Sequence, residues 1–261
     1  MFYGDKGKPS DYKTLRYNYD VLVDNEKMTL TKLANRLHFF SIVFDGKIND
    51  IETVYDTSNN LLTGSGLIIR KRCTAERNYF SLVRINSVKS SRNHERKEFL
   101  GECDKNDQPS DFPVQIADRI NEIFSNVFTI NLVDIIKHCT PYITTHIKGN
   151  RYKIISGTGY SAEMSFETFK VKNFRNGKSA VLRNFSIAFE LDPDYEKERE
   201  QILETIDRYC KELVLLDRNN FEISEVAVKT RIPKVTADQN NEKGKKNKKK
   251  TAENEQNENE G

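Results

Sequence analysis

Residues 52–72, Glu52-Thr-Val-Tyr-Asp-Thr-Ser-Asn-Asn-Leu-Leu-Thr-Gly-Ser-Gly-Leu-Ile-Ile-Arg-Lys-Arg72, decide how the rest of the chain is read. Thr53, Val54 and Tyr55 are strand formers, and Asp56 to Asn60 supply turn chemistry. Gly64 and Gly66 permit a tight backbone ahead of the β-branched pair Ile68 and Ile69. A strand, a turn and a second strand ending in three cations are expected. Because side chains alternate along a strand, Arg70 and Arg72 share one face and Lys71 takes the other.

Outward from this hairpin the pattern is mostly strands with helical interludes. Residues 15–23 predict a first strand, with Arg16, Asn18, Asp20 and Leu22 on one face and Leu15, Tyr17, Tyr19, Val21 and Val23 on the core face. Asp24 or Asn25 can cap a helix carrying Leu30, Leu33, Ala34 and Leu37. Strands are expected over 79–86 and 95–103, and a helix over 113–125 buries Ile116, Ile120 and Ile123. An antiparallel meander follows over 142–148, 152–156, 162–171 and 180–191. Its turns are Gly149-Asn150, Gly157-Thr-Gly159 and Asn176-Gly177. Asp192 and Pro193 then begin a last helix with Ile202, Ile206, Tyr209 and Leu213 as its buried stripe.

Composition excludes several classes. At 261 residues and 36% hydrophobic content the chain can bury a core. No stretch approaches the roughly 18 apolar residues of a membrane helix, and residues 1–10 lack a signal-peptide apolar run. A soluble, cytoplasmic protein is expected. Cys73, Cys103, Cys139 and Cys210 are scattered without a Cys-x-x-Cys pair, which argues for reduced, structural thiols. His38, His94, His138 and His146 lack metal-ligand spacing, and no serine lies in a nucleophile elbow.

The formal net charge is only +3, but Lys243-Gly-Lys-Lys-Asn-Lys-Lys-Lys250 holds six lysines, followed by an Asn/Glu/Gln run to Gly261. Such a segment buries too little apolar surface to order itself. The expected organisation is an N-terminal extension (1–11), a folded domain (12–232) and a disordered Lys-rich, then Glu/Asn-rich tail (233–261). The tail either solubilises the chain or touches an anionic partner such as nucleic acid, lipid or polyphosphate.

Tyr55-Asp56-Thr57 followed by Ile69-Arg70-Lys71-Arg72 resembles the CYTH, or triphosphate-tunnel, family, which includes class IV adenylate cyclases, thiamine triphosphatases and inorganic triphosphatases. In that family a Tyr-Asp-Thr turn precedes a strand carrying Leu-Arg-x-Arg. The resemblance implies an α+β fold, an eight-stranded antiparallel β-barrel with flanking helices. Its interior would join cations that bind a triphosphate to carboxylates that hold Mg²⁺ or Mn²⁺.

Position by position, the resemblance implies phosphate contacts from Arg70, Arg72, Arg84, Lys153 and Arg16, and metal contacts from Glu163, Glu167, Glu190 and Glu98. It also shows departures. The family's first strand reads Glu-x-Glu-x-Lys, where this chain has Arg16, Asn18 and Asp20. A Thr-Lys-Arg pattern is replaced by Thr144-Thr145-His146, with Arg151 and Lys153 as nearby cations. A Glu-x-Glu-x-Glu strand is reduced to Ser186, Ala188 and Glu190. Loss of these carboxylates weakens divalent-ion binding. Three readings follow: a tunnel domain that binds a triphosphate, polyphosphate or nucleotide phosphate with little turnover; a Mg- or Mn-dependent triphosphatase or cyclase-like enzyme; and a non-catalytic scaffold or RNA-binding barrel.

Overall fold

The computed structural model describes residues 14–23, 25–84, 96–123, 131–190, 193–216, 224–225 and 227–228. The side chains of Thr14, Arg84, Arg96, Lys97, Glu98, Glu190 and Pro193 lie outside the described set, as do the expected N-terminal extension, Asp192 and the charged tail.

One antiparallel sheet organises the domain. Its strands are β1 (Thr14–Val21), β2 (Phe40–Asp56), β3 (Leu67–Cys73), β4 (Asn78–Arg84), β5 (Arg96–Glu102), β6 (Thr140–Ser156), β7 (Ser161–Asn173), β8 (Ser179–Glu190) and β9 (Leu213–Leu216). They lie in the order β5-β4-β3-β2-β6-β7-β8-β1-β9. The helices are α1 (Glu26–Ala34), α2 (Leu61–Gly64), α3 (Pro113–Ile123), α4 (Leu132–Lys137) and α5 (Glu196–Tyr209). The α+β antiparallel architecture is the expected one, but with nine strands in place of eight and, among the described residues, no pairing between β5 and β9 that would close the sheet into a barrel.

The Tyr-Asp-Thr turn forms for a local reason. Asp56 is fully buried and its carboxylate accepts from the backbone N–H groups of Thr57 (2.7 Å), Leu62 (3.0 Å) and Thr63 (3.1 Å), and from the Thr63 hydroxyl. The Leu62 and Thr63 N–H groups are donors left open at the start of α2, and the Thr57 bond fixes the turn before it. Arg175 stacks over Tyr142 and donates to the carbonyl of Thr57, so the β7–β8 turn braces the β2–β3 turn.

Two expectations are corrected. Gly149-Asn150 is not a hairpin turn but the middle of the continuous strand β6, paired with β2 on one side and β7 on the other. A Cβ on Gly149 would lie 1.9 Å from the Phe166 carbonyl oxygen, so glycine is there to let β7 approach. Leu213 belongs to β9 rather than to the last helix, which ends at Tyr209. The turns at 157–159 and 174–177 form as expected.

Helices cover the outer face. Leu33 of α1 and Ile202 and Ile206 of α5 pack with Tyr19, Met164, Phe166, Phe185, Ile187 and Phe189. Ile116 and Ile120 of α3 and Ile135 and Ile136 of α4 pack with Tyr55, Ile69, Phe80, Leu82 and Leu100. Each such fully buried side chain contributes roughly 1.5–3 kcal/mol.

The opposite face lines an interior. In a flat sheet, six strand spacings would separate β4 from β1 by about 29 Å. A single cavity of about 350 Å³ nevertheless touches Tyr79 of β4 and Arg16 of β1. The sheet is therefore rolled, with Arg70, Arg72, Asp50, Glu52, Ser165 and Glu167 on its inner side. A bulge between Phe44 and Gly46 shifts the alternation of β2, so that Ile48, Asp50, Glu52 and Val54 face inward.

Candidate functional site

The cavity is lined by the cations Arg16, Lys47, Arg72, Arg77 and Arg151 and by the acids Asp50, Glu76, Glu163 and Glu167. Neighbouring strands hold these groups in register. Gly149 of β6 stands between Ile48 and Glu167, and Arg151 lies opposite Ser165. Ser165 and Glu167 of β7 face Ser186 and Asn184 of β8, and Ser186 in turn faces Asn18 of β1.

Two inner arginines are already paired. Arg70 Nη1 lies 3.0 Å from Glu52 Oε2 and its Nε donates to Ser81 Oγ at 3.1 Å, with both charged side chains under one-tenth exposed. Arg72 donates from Nε (3.1 Å) and Nη2 (2.7 Å) to one oxygen of Asp50. Burial works against the Arg72 cation, but the charges of Glu52 and Asp50 outweigh it and hold its pKa above the ordinary arginine value. Lys71, on the outer face as expected, donates to the carbonyls of Lys105 (2.7 Å) and Asp107 (2.6 Å) and ties down that loop.

The remaining cations differ. Arg16, Lys47 and Arg151 form no ion pair or hydrogen bond among the described residues. Arg77 makes only a long, exposed pair with Glu102 (3.9 Å) and lies over the Tyr79 ring. Of the acids, Glu167 is buried and accepts from Asn184 Nδ2 at 3.0 Å, whereas Glu163 is exposed. Three uncommitted cations therefore face two uncommitted acids, Glu76 and Glu163, across a space open to solvent.

Four of the residues expected at the site line the cavity: Arg16, Arg72, Glu163 and Glu167. Arg70 is spent on Glu52, and Lys153 pairs with Asp45 at 3.0 Å outside the lining. Arg84, Glu98 and Glu190 lie on strands, but their side chains fall outside the described set. Lys47, Asp50, Glu76 and Arg77 were not singled out in the sequence. Asp50 had a legible signal in one respect, since alternation back from Glu52 places it on the same face; Lys47 had none.

The described donors do not fit a carboxylate metal clamp. Glu163 and Glu167 share a face of β7 but are separated by about 13 Å of strand. Around them stand Asn18, Asn184, Ser165, Ser186 and Ala188. Ser165 and Ser186 bond to each other at 2.9 Å, and Asn184 donates to Asn18 at 3.3 Å. The buried Oδ1 of Asn184 has no partner among the described residues, yet it is a neutral oxygen. No group of three or more His, Cys, Asp or Glu able to hold a metal occurs among the described residues.

A rolled antiparallel sheet with charged groups on its inner face and helices on its outer face defines a tunnel-type barrel. More particularly, the fold is that of the CYTH, or triphosphate-tunnel, proteins. No family model matches the sequence, and no curated protein does. Among solved structures, the chain is similar to HpAC1 from Hippeastrum, described as an adenylyl cyclase candidate with a dominant triphosphatase activity. The two are 11% identical, with 84% of this chain and 98% of that chain covered at a TM-score of 0.52. Proteins from Vibrio parahaemolyticus (12% identical, 82% and 98% covered, TM-score 0.43) and Bacillus halodurans (13%, 81% and 96%, 0.43), both described as adenylate cyclase candidates, resemble it less closely. At these identities the likeness is one of fold, and the first of them carries it.

Proposed function

We propose that this domain binds the phosphate groups of a triphosphate, polyphosphate or nucleotide with little or no turnover. The observation that carries the reading is the convergence of Arg16, Lys47 and Arg151, uncommitted, on a cavity that also holds Arg72. Unpaired cations around a partly enclosed space repel one another, and a polyanion removes that repulsion while gaining charge-assisted hydrogen bonds. Arg16, at the position where the family has a metal-binding glutamate, is the residue that turns an ion clamp into a direct phosphate contact.

Weak turnover follows from the same geometry. Phosphoryl transfer relies on metal ions to polarise the reacting oxygens. The neutral Asn18, Ser186 and Asn184 supply no charge for that purpose. The test is thermal unfolding with tripolyphosphate, ATP or thiamine triphosphate, each with and without Mn²⁺, with phosphate and pyrophosphate release assayed in the same samples. At a hundredfold excess over its dissociation constant a ligand stabilises the native state by roughly 2.7 kcal/mol. Stabilisation without product release is expected. Metal-dependent release would replace this reading with a triphosphatase or cyclase, and absence of any shift would leave a scaffold.

A further inference from the structure

Past the cavity, the interior of the rolled sheet changes character. Along β2 the inward residues run Ile48, Asp50, Glu52, Val54, and along β7 they run Glu163, Ser165, Glu167, Phe169, Val171. Beyond Glu52 and Glu167 both runs turn apolar. Toward the other end Val54, Ile68, Val83, Tyr142, Ile143, Ile147, Phe169 and Val171, from five adjoining strands, join the cavity-lining Ile48 in a single buried cluster, and Val228 is packed into it at 1% exposure.

Val228 comes from far along the chain and does not arrive alone. Ser224 is buried and its hydroxyl accepts from Thr145 Oγ1 at 3.3 Å. Thr145 is an inward residue, opposite Glu52 in register. Glu225 accepts from the Tyr142 hydroxyl at 2.7 Å, and Ala227 is also buried. A polar pin and an apolar stopper therefore hold Ser224 and Val228 at that end of the rolled sheet. Beside it, the buried Arg70–Glu52 pair lies along the inner wall between the neighbouring strands β2 and β3.

We infer that the cavity is a blind pocket, closed at the Val228 end and entered past Lys47, Arg77 and Arg151, and that it selects the free end of a phosphate chain. The inference rests on the phosphate reading above. A polyanion cannot continue past Asp50 and Glu52 into an apolar plug, because an unpaired phosphate there would lose its solvation without compensation. A long chain can thus offer the pocket nothing more than its ends, and its internal phosphates are excluded.

The test compares tripolyphosphate with a long-chain polyphosphate on the full chain, using thermal shift. The pocket's share is the part of the shift lost in the Arg16→Ala/Arg151→Ala variant, which removes any contribution of the Lys-rich tail. At equal molarity of molecules, and hence of chain ends, the two ligands should give the same pocket-dependent shift. At equal total phosphate the long chain should fall behind in proportion to its scarcer ends. Capping both ends of the tripolyphosphate with alkyl esters should abolish the shift. A shift that follows total phosphate, or one that survives capping, would overturn the blind pocket while leaving phosphate binding intact. A tripolyphosphate shift unchanged in the variant, or none at all, would overturn the phosphate reading itself.

Discussion

Replacing Glu52 by Gln tests the physics of the interior most sharply. Glu52 and Arg70 are 3.0 Å apart with side chains 8% and 7% exposed, and Arg70 lies beside the inward-facing Val54, Ile68 and Val83. Glutamine keeps the shape but leaves the guanidinium charge buried with only the Ser81 hydroxyl and an amide as acceptors. Breaking a buried pair from one side costs about 3–5 kcal/mol. At about 2–4 °C per kcal/mol for a domain of this size, Tm should fall by roughly 6–20 °C. The Glu52→Leu/Arg70→Met variant removes both charges and should recover most of the loss, since apolar replacement of a buried pair is often close to neutral. Equilibrium urea unfolding of Glu52→Leu, Arg70→Met and the double variant gives the coupling directly. By contrast, Glu122→Gln breaks the exposed Arg119–Glu122 pair (2.7 Å) and should cost less than about 0.5 kcal/mol. A loss below about 1 kcal/mol for Glu52→Gln would refute the claim that the pair is desolvated.

Asp50→Asn should release Arg72 toward a ligand, tightening tripolyphosphate binding by about tenfold, since a charge-assisted hydrogen bond is worth about 1.5–3 kcal/mol; weaker binding in a titration would contradict the competition between Asp50 and phosphate. Asp56→Ala opens two backbone donors at α2 and one in the turn before it and should cost about 2 kcal/mol, read as a lower urea midpoint. Burial, the largest influence on Cys103, Cys139 and Cys210, pushes their thiols up to about 12, 12 and 11. The native protein at pH 8 should therefore react slowly with a disulfide reagent at these three and at the ordinary rate once unfolded. At Glu212, burial raises the carboxyl pKa, but hydrogen bonds from Lys32 and Thr29 outweigh it and bring it below the usual 4.5. Its stabilising contribution is present above that value and lost as pH falls through the native one, so Glu212→Gln should flatten the acid limb of the stability profile.

The hairpin at 52–72 was legible because strand formers, turn residues and glycines agree locally. So was the separation of Arg70 and Arg72 from Lys71, which alternation alone decides. The first half of β2 was not, because the bulge at Phe44 and Gly46 breaks the two-residue period that would have revealed it. Lys47 was lost with it, whereas Asp50, the partner of Arg72, lies past the bulge and shares the face of Glu52 by simple alternation. Gly149-Asn150 has the composition of a turn, and only the closeness of the Phe166 carbonyl explains a glycine in mid-strand. The apolar run Leu213–Leu216 fits a helix stripe as well as a strand, and pairing with β1 decides the matter. Val228 carries no local sign that it fills the barrel, since that role depends wholly on residues distant in sequence.

Isothermal titration of tripolyphosphate into the protein and into the Arg16→Ala/Lys47→Ala/Arg151→Ala variant, in the presence of a metal chelator, tests the central claim most directly. The account predicts one saturable site per chain that weakens steeply with salt and is lost in a variant that still unfolds cooperatively. Binding of equal strength in the variant, or binding that requires added Mn²⁺, would contradict it.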